Sequence, residues 1–360
     1  MIWITALDFE HWAQTYHAKF EFPRLIRRLI WATCSEIQQL NIPGGEHAFL
    51  PGFDGVVQCG SGNDFVPSGL SIWEFGTEKN VTGKANEDYK KRTEMPTDWN
   101  KKEASFFFAT PCRWNKCKEW EDNKDADFVW KKVRGIWSRH LETWIERVPW
   151  VVAFFARTCL NRSTVGLRTI EMIWDDYANI PNSDGRQLPG EFVVNGRERI
   201  QRKFLSWLTA PSAQEEKRII RFSGPSEREV LDFIAAGARS LAAQEFEKLC
   251  SRVFAVDDIA SAQCLVGVTA DHTILATGDV IPFVHRLWKK TNFKLVLYHS
   301  LNKQVPPPFP GIDSIELRPA EKVGLIQSVV DLGYSAGDAD ELCQASSFDY
   351  ARIRKAVFLY

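Results

Sequence analysis

Three short apolar runs place the tightest limit on how this chain can fold. They are GVVQCG at 55–60, LSIWEFGT at 70–77 and ASFFFATP at 104–111. Each has the length and the glycine, proline or polar boundaries of a strand, and the third is apolar throughout, as in a buried strand. Polar segments with helical spacing lie between and around them. This alternation predicts an α/β fold in which a mixed sheet carries flanking helices on its faces.

The chain has 360 residues, which is more than one hydrophobic core normally holds. A turn-rich segment, NIPNSDGRQLPG, predicts a break near the middle of the chain. After it, strands alternate with helices, which favours a parallel α/β domain. We therefore predict a first domain at 1–165, a linker at 166–195, a second α/β domain at 196–318 and a small helical unit at 319–360.

The chain carries 45 Lys and Arg against 46 Asp and Glu, a formal net charge of −1. No overall basic field therefore attracts nucleic acid, and any such contact must come from local patches. RLIRRLI at 24–30 and DYKKRT at 88–93 are the best patches, although each could equally be the solvated face of a helix. The candidate nucleic-acid-binding residues are Arg24, Arg27, Arg28, Lys90, Lys91 and Arg92.

The eight cysteines are scattered without a CxxC pair, so we expect reduced thiols and no zinc site. No run approaches about 18 uninterrupted apolar residues, and the first residues carry acids early, unlike a signal peptide. These features predict a cytoplasmic protein without membrane contact. The 14 Trp and 24 Phe are expected to serve core packing. The final ARIRKAVFLY has helical spacing and no cap, which favours a longer protein that continues past it.

Two acids stand out near the apolar runs. Asp54 precedes the first run, where glycines permit a turn into a strand, and Glu74 lies between Trp73 and Phe75 in the second. If the two strands are antiparallel neighbours, both carboxylates can reach one end of the sheet. An ionised Glu74 among aromatics needs a compensating partner. Alternatively, strict alternation puts the aromatics on the opposite face, and Asp54 is only a turn residue.

Two converging carboxylates match the oxygen ligands that Mg²⁺ prefers, and Mn²⁺ could replace it. A divalent cation would offset the cost of holding Glu74 among aromatics and would accept a phosphate oxygen. The pair therefore predicts a metal site with Asp54 and Glu74 as ligands.

The same residues carry a resemblance to a known group. FDG in one strand, WEFGT in the next and a helix with KANEDY resemble the PD-(D/E)XK, or restriction-endonuclease-like, superfamily over about residues 15–140. The resemblance implies a restriction-endonuclease-like fold and a Mg²⁺-dependent nuclease that acts on DNA. It also implies that Asp54 and Glu74 are catalytic and bind the metal. Glu21, before FPRLIRRLI, would be the supporting acid of the first helix.

One residue departs from the superfamily pattern. The lysine expected two residues after Glu74 is replaced by Gly76. That lysine orients the attacking water and stabilises developing phosphate charge. Lys79 or Lys84 could take over the catalytic role of that lysine, since a lysine side chain is long and flexible. The polar helix residues that would support the site are Asn86 and Tyr89.

The second domain resembles a degenerate P-loop module of STAND-type signalling ATPases. RIIRFSGPSEREVLDF has the strand–turn–helix order of a nucleotide-binding start, and VFAVDD resembles a Walker-B-like strand end. A working P-loop needs glycines and a lysine, whereas SGPS offers one glycine and no lysine. We therefore expect no ATP in this chain. The alternative is an α/β scaffold whose helix is capped by Ser226, with Glu229 at the capping-box position.

The two resemblances together imply the front part of a large bacterial anti-phage defence protein, with a nuclease effector before a sensor. The alternatives are a catalytically inactive nucleic-acid-binding module and a protein-interaction scaffold. A homo-oligomer or a protein partner is also left open by the sequence.

Overall fold

The computed structural model describes residues 4–44, 52–164, 166–179, 187–210, 218–288, 293–301 and 312–357. The chain divides into two compact units, Met1–Thr164 and Val165–Tyr360. Each unit combines helices with one sheet, so the predicted α/β class is confirmed. No helix within the described ranges is both long enough and apolar enough to cross a membrane.

The first unit alternates helices with short strands. Its helices are α1 (Ala6–Trp12), α2 (Tyr16–Thr33), α3 (Val81–Glu94), α4 (Cys117–Asp125), α5 (Ser138–Ile145) and α6 (Pro149–Phe154). Its strands are β1 (Ile37–Asn41), β2 (Gly55–Cys59), β3 (Gly69–Phe75), β4 (Ser105–Ala109) and β5 (Lys132–Ile136). The three apolar runs thus form β2, β3 and β4, whereas the polar sequence of β1 did not indicate a strand.

The strands of the first unit form one sheet in the order β1-β2-β3-β4-β5. The first three strands pair antiparallel, and β4 and β5 continue the sheet in parallel with β3. A parallel return needs a crossover, which α3 supplies between β3 and β4, and α4 between β4 and β5. The sheet is therefore mixed, with antiparallel and parallel halves that meet at β3.

Alternation along β3 separates Glu74 from its aromatic neighbours. On one face of the sheet, Trp73 stacks on Phe107 with ring centroids 4.3 Å apart, and Phe75 packs edge-on against Phe22 of α2. Glu74 points the other way and reaches α3. The two aromatic residues next to Glu74 in sequence therefore lie on the opposite face, whereas its register partner on β4 is Phe108.

The many large aromatic residues of the first unit serve packing. Where α3 and α4 cover the sheet, a group of rings makes contacts with centroid distances of 5.0–6.4 Å. The members of this group are Tyr89, Phe106, Phe108, Trp114 and Trp120. Tilted and edge-on contacts of this kind add to the free energy gained from burial alone.

The second unit is built on six strands. Its helices are α7 (Ile170–Ala178), α8 (Glu191–Val194), α9 (Glu198–Thr209), α10 (Glu227–Arg239), α11 (Ala243–Cys250), α12 (Ile259–Gln263), α13 (Ile281–Trp288), α14 (Lys322–Asp331), α15 (Ala336–Ala345) and α16 (Tyr350–Val357). Its strands are β6 (Leu167–Thr169), β7 (Ile219–Gly224), β8 (Val253–Val256), β9 (Thr273–Ala276), β10 (Lys294–Ser300) and β11 (Asp313–Glu316). They lie in the order β11-β7-β10-β9-β8-β6, and β6 alone among the described strands of this sheet runs antiparallel to its neighbour.

The range 166–195, predicted as a linker, contains regular structure. Its described part includes β6, α7 and α8, and β6 pairs with β8 at the edge of the second sheet. Helix α7 belongs to the second unit. The turn-rich residues that suggested a linker occupy only part of this range, and 180–186 lie outside the described residues.

Phe107 offers a test of the first core because it is 3% exposed and stacks on Trp73. Phe107→Ala is expected to lower the free energy of unfolding by about 3–5 kcal/mol, the usual cost of emptying an aromatic site. Phe128→Ala is the matched control because Phe128 is 78% exposed, and it should change stability by less than about 0.5 kcal/mol. Urea unfolding of both variants measures the difference, and equal effects would contradict the packing described here.

Candidate active site

Asp54 and Glu74 meet at one end of the first sheet. The antiparallel register pairs Gly55 with Trp73, which sets the residue before β2 opposite Glu74. The Asp54 amide donates to Glu74 Oε1 at 3.3 Å, and the Phe75 amide donates to Asp54 Oδ2 at 3.1 Å. Backbone hydrogen bonds at the strand ends therefore hold the two carboxylates together.

Glu74 is 1% exposed, and an arginine compensates its charge. Arg92 Nε and Nη2 donate to Oε1 and Oε2 of Glu74 at 2.6 and 3.0 Å, which forms a bidentate ion pair. The same guanidinium lies 3.9 Å from Asp54 Oδ1 and 5.4 Å from the ring centroid of Phe53. Removing either partner of a buried pair leaves the other charge uncompensated. Arg92 is thus the cationic partner that Glu74 requires.

Burial dominates the protonation of both acids. It raises the pKa of Glu74 to about 7 against the opposing Arg92 hydrogen bonds, and the charge of Asp54 adds to the rise. Burial also raises the pKa of Asp54, against the effects of the Phe75 amide and Arg92. Acids with raised pKa values beside a cleft are typical of functional sites, although structural ion-pair networks produce them too.

Helix α3 delivers three charged side chains to this end of the sheet. Asn80 caps the helix by accepting a hydrogen bond from a backbone amide of the first turn. Lys84, Asp88 and Arg92 then follow at four-residue spacing, which places them on one face. Lys84 Nζ donates to Asp88 Oδ1 at 2.8 Å, and Arg92 reaches Glu74. The helix therefore provides two cations and a third acid at the Asp54–Glu74 pair.

The stem of Lys84 is one of the groups that fill the space in front of Gly76. A Cβ built on Gly76 would lie 3.2 Å from Lys84 Cγ and 2.7 Å from the ring of Phe108. These distances exclude a side chain at position 76 unless its neighbours move. Lys79, the other predicted replacement, is exposed and does not line the adjacent cleft. Of the two lysines, Lys84 is the one that lies at the site.

A cleft of about 330 Å³ opens beside these residues, a volume at the small end of ligand sites. Its walls come from α2, from α3, and from the end of β3 with the loop that follows it. Asp54 and Glu78 are its acidic residues. Its basic residues are Lys19, Lys84, Lys91 and Arg92. The excess of cationic side chains suits a negatively charged ligand.

Three residues predicted to support the site do not line the cleft. Glu21 pairs with an arginine of its own helix at 3.4 Å. Asn86 Oδ1 accepts a hydrogen bond from Trp120 Nε1, and the Tyr89 hydroxyl donates to a backbone carbonyl of α4. Because a helix turns about 100° per residue, positions 86 and 89 face a different side of α3 from positions 84, 88 and 92. Asn86 and Tyr89 therefore join α3 to α4.

The predicted basic patch on α2 is tied into the fold. Arg28 is 1% exposed, with its guanidinium 3.8 Å from the ring centroid of Phe154. Arg24 also lies over this ring, at 5.6 Å, and Arg27 donates to the Ile42 carbonyl at 2.6 Å. Of the three arginines, only Arg28 lies among the buried, otherwise apolar positions of the helix. Arg28 is consequently excluded from a nucleic-acid contact, since it has almost no exposed surface.

The three residues of the predicted basic patch on α3 point in different directions, some toward solvent and some toward the site. Lys90 is exposed and lies 3.9 Å from Glu94. Lys91 lines the cleft, whereas Arg92 is buried and held by Glu74. Consecutive helical positions point in different directions, so three adjacent cations cannot share one surface.

Only one of the two paired acids is in a position to bind a hard cation such as Mg²⁺. Carboxylate oxygens are the ligands that Mg²⁺ prefers, and Asp54 lines the cleft. Both oxygens of Glu74, however, are held by Arg92. Within the described residues, no three His, Cys, Asp or Glu side chains form a ready cation site. A metal ion would therefore be held by Asp54, and by Glu74 once Arg92 releases it.

The strand–turn–helix of the second unit carries an acid where a phosphate would bind. Ser226 caps α10 by accepting a hydrogen bond from the Glu229 amide at 3.1 Å. The Glu229 carboxylate pairs with Arg197, and both side chains are buried. Glu229 therefore does not complete a capping box. Its charge, in the first turn, already interacts with the positive end of the helix that a phosphate would use.

The acids of VFAVDD also have structural partners. Arg168 Nε and Nη2 donate to the two carboxylate oxygens of Asp257 at 2.7 and 2.8 Å, which ties β6 to the end of β8. Asp258 caps α12 by accepting a hydrogen bond from the Ser261 amide at 2.7 Å. The predicted Walker-B-like strand end thus contributes an ion pair and a helix cap.

Sequence reasoning did not assign Asp88 to the site and placed Arg92 on a nucleic-acid-binding surface. The available signal was the four-residue spacing of Lys84, Asp88 and Arg92 on a helix that also buries Ala85 and Tyr89. Charged residues beside buried positions on one helix face need partners, as Arg92 finds in Glu74 and Asp88 finds in Lys84.

Comparison with known proteins gives no matching family model and no matching curated protein. The function is therefore argued from the geometry of the site.

Glu74→Gln tests the protonation of the site. Since the pKa of Glu74 rises from 4.5 to about 7 on folding, the folded protein binds this proton more tightly than the unfolded chain between those values. The associated stability is present below about pH 4.5 and is lost as pH rises through 7. The parent should therefore lose stability relative to Glu74→Gln between pH 5 and 7.5.

Urea unfolding of the two proteins at pH 5, 6 and 7.5 measures this difference. A difference that stays constant, or that changes in the opposite direction, would show that Arg92 lowers the pKa of Glu74 by at least as much as burial raises it.

Proposed function

We propose that the first unit is a metal-dependent nuclease that hydrolyses phosphodiester bonds, with DNA as the substrate. The observation that carries this proposal is the position of Lys84. Its stem occupies the space in front of Gly76, beside two carboxylates that meet at the end of the sheet. A lysine next to paired acids in a cleft rich in cations is the set of groups that phosphoryl chemistry needs.

The arrangement of the first sheet supports a restriction-endonuclease-like fold. A helix precedes three antiparallel strands, and a helix then crosses to a parallel fourth strand. Asp54 precedes the second of those antiparallel strands, and Glu74 lies near the end of the third. This is the order of elements and acids that the sequence resemblance implies. The cleft lies at the end of the sheet where both acids meet.

Each group of the site has a chemical role in this proposal. A Mg²⁺ ion, when bound, would polarise the phosphate and activate water. Of the Asp54–Glu74 pair, Asp54 is the residue with access to it, because it lines the cleft. The Lys84 ammonium would neutralise charge on a phosphate oxygen, and Lys91 and Lys19 would hold the flanking backbone. Glu74 would complete the acidic site when Arg92 turns to the substrate phosphate.

A second candidate function is nucleic-acid binding without cleavage. The observation that favours it is the bidentate pairing of Arg92 with Glu74. This pairing keeps Glu74 engaged, while Lys19 and Lys91 of the cleft remain available to a phosphate backbone. Such binding would be strongly salt-dependent and independent of Mg²⁺.

For the second unit, we propose a P-loop-like sensor or interaction domain that has lost its phosphate-binding residues. The strand–turn–helix order of β7 and α10 supports the relationship. The burial of Glu229 at the start of α10 and the pairing of Asp257 with Arg168 support the loss of phosphate binding. An effector followed by such a domain fits a bacterial defence-type protein.

Plasmid cleavage with Mg²⁺ or Mn²⁺ tests the nuclease. Asp54→Ala, Glu74→Ala and Lys84→Met should each reduce the rate by about 10²-fold or more, since each removes a group that acts on the transition state. Lys90→Met is the matched control for Lys84→Met, because Lys90 is an exposed lysine of the same helix outside the cleft. It should retain near-parental activity. Cleavage that survives both acid substitutions would remove the proposed site.

Binding of DNA in EDTA at several salt concentrations tests the second candidate. If the parent binds but never cuts, Lys91→Ala and Lys19→Ala should each reduce the slope of log affinity against log salt by about one, as expected for loss of one phosphate contact. An unchanged slope in both variants would exclude the cleft as the binding surface.

A further inference from the structure

Asp88 is a buried acid with an unusual environment. It is 4% exposed, and Lys84 Nζ donates to its Oδ1 at 2.8 Å. Its Oδ2 is also buried but has no hydrogen-bond partner, which is true of no other carboxylate oxygen in the described part of the chain. Burial raises the pKa of Asp88, against the effect of Lys84. A buried carboxylate with one unsatisfied oxygen is costly and needs an explanation.

Stability of the helix does not explain this pair. A lysine that precedes its acidic partner by four residues is the less favourable order along a helix. The Lys84 side chain is 28% exposed, and partly exposed pairs of this kind contribute little free energy. The desolvation of Asp88 opposes even that gain. The Lys84–Asp88 pair is therefore better explained by the position in which it holds the Lys84 ammonium.

Without Asp88, the Lys84 ammonium has other acidic partners nearby. Glu87 and Glu78 both act on its charge, and Glu78 lines the same cleft. A four-carbon stem is flexible enough to reach alternative acids, and each alternative would move the ammonium. The short contact to Asp88 selects one position for the ammonium, at the end of a stem that borders the space in front of Gly76.

We propose that Asp88 is a positioning residue that fixes the Lys84 ammonium beside the Asp54–Glu74 pair. This inference rests on the proposed function for its catalytic consequence, but the placement of Lys84 can be measured separately. Asp88 keeps two protons of the ammonium free for a phosphate oxygen, because only one hydrogen bond is needed to hold it. The cost of the unsatisfied Oδ2 is then a cost of function rather than of folding.

Asparagine is the informative replacement. Asp88→Asn keeps the shape and one acceptor for Lys84 but removes the buried charge. Its thermal stability should equal or exceed that of the parent. The ammonium should no longer be fixed, because a neutral acceptor competes poorly with the charged Glu78 and Glu87. A merely structural role predicts the opposite, a loss of stability together with activity. Glu87→Gln is the matched control, since Glu87 is an exposed acid of the same helix.

The first measurement is the rate at which acetic anhydride acetylates Lys84, followed by mass spectrometry under native conditions. Asp88→Asn should raise this rate at least threefold over the parent, and Glu87→Gln should leave it within twofold. An unchanged rate in Asp88→Asn would overturn the proposal whether or not the protein cuts DNA.

The second measurement is plasmid cleavage with Mg²⁺. In Asp88→Asn, kcat should fall at least tenfold with KM within threefold of the parent, and the folded fraction should be unchanged. If acetylation rises but the parent never cuts, the nuclease proposal fails and the placement of Lys84 stands. If acetylation rises and kcat is unchanged while Lys84→Met is inactive, the positioning role in catalysis is overturned.

Discussion

The ion pair between Arg92 and Glu74 is the interaction on which the first unit's site depends. A carboxylate that is 1% exposed can remain charged only beside a cation, and the guanidinium of α3 supplies that cation through two hydrogen bonds. The same contact anchors α3 against the end of β3. Because α3 is anchored there, Lys84 and Asp88 also reach the site. The pair thus links helix docking to the arrangement of the charged groups.

Arginine–carboxylate ion pairs also compensate acidic residues in the second unit. Asp257 at the end of β8 is held by Arg168, and the buried Glu229 of α10 is held by Arg197. At each of these positions a guanidinium compensates the charge of an acid near a strand end or a helix start. A planar guanidinium suits a carboxylate because it donates two parallel hydrogen bonds. In the first unit, the Arg92–Glu74 pair lies beside a cleft that is lined by further cationic residues. The proposed nuclease site is therefore placed there.

The sequence predicted the strands β2, β3 and β4 and the convergence of Asp54 with Glu74, because alternation and turn residues are local signals. It did not predict β1 or β6, since their polar or short sequences become strands only through pairing with β2 and β8. The choice between Lys79 and Lys84 also required the structure. Spacing shows that both lysines follow Gly76, but only the packing of α3 shows which stem lies against it.

The most direct measurement of the central claim is anomalous scattering from crystals soaked in Mn²⁺ with and without an oligonucleotide. We expect a peak within direct coordination distance of Asp54, accompanied by movement of Arg92 away from Glu74 when the oligonucleotide is present. No peak at this position under conditions in which the same preparation cleaves DNA, with Arg92 still bonded to both oxygens of Glu74, would contradict the proposed active site.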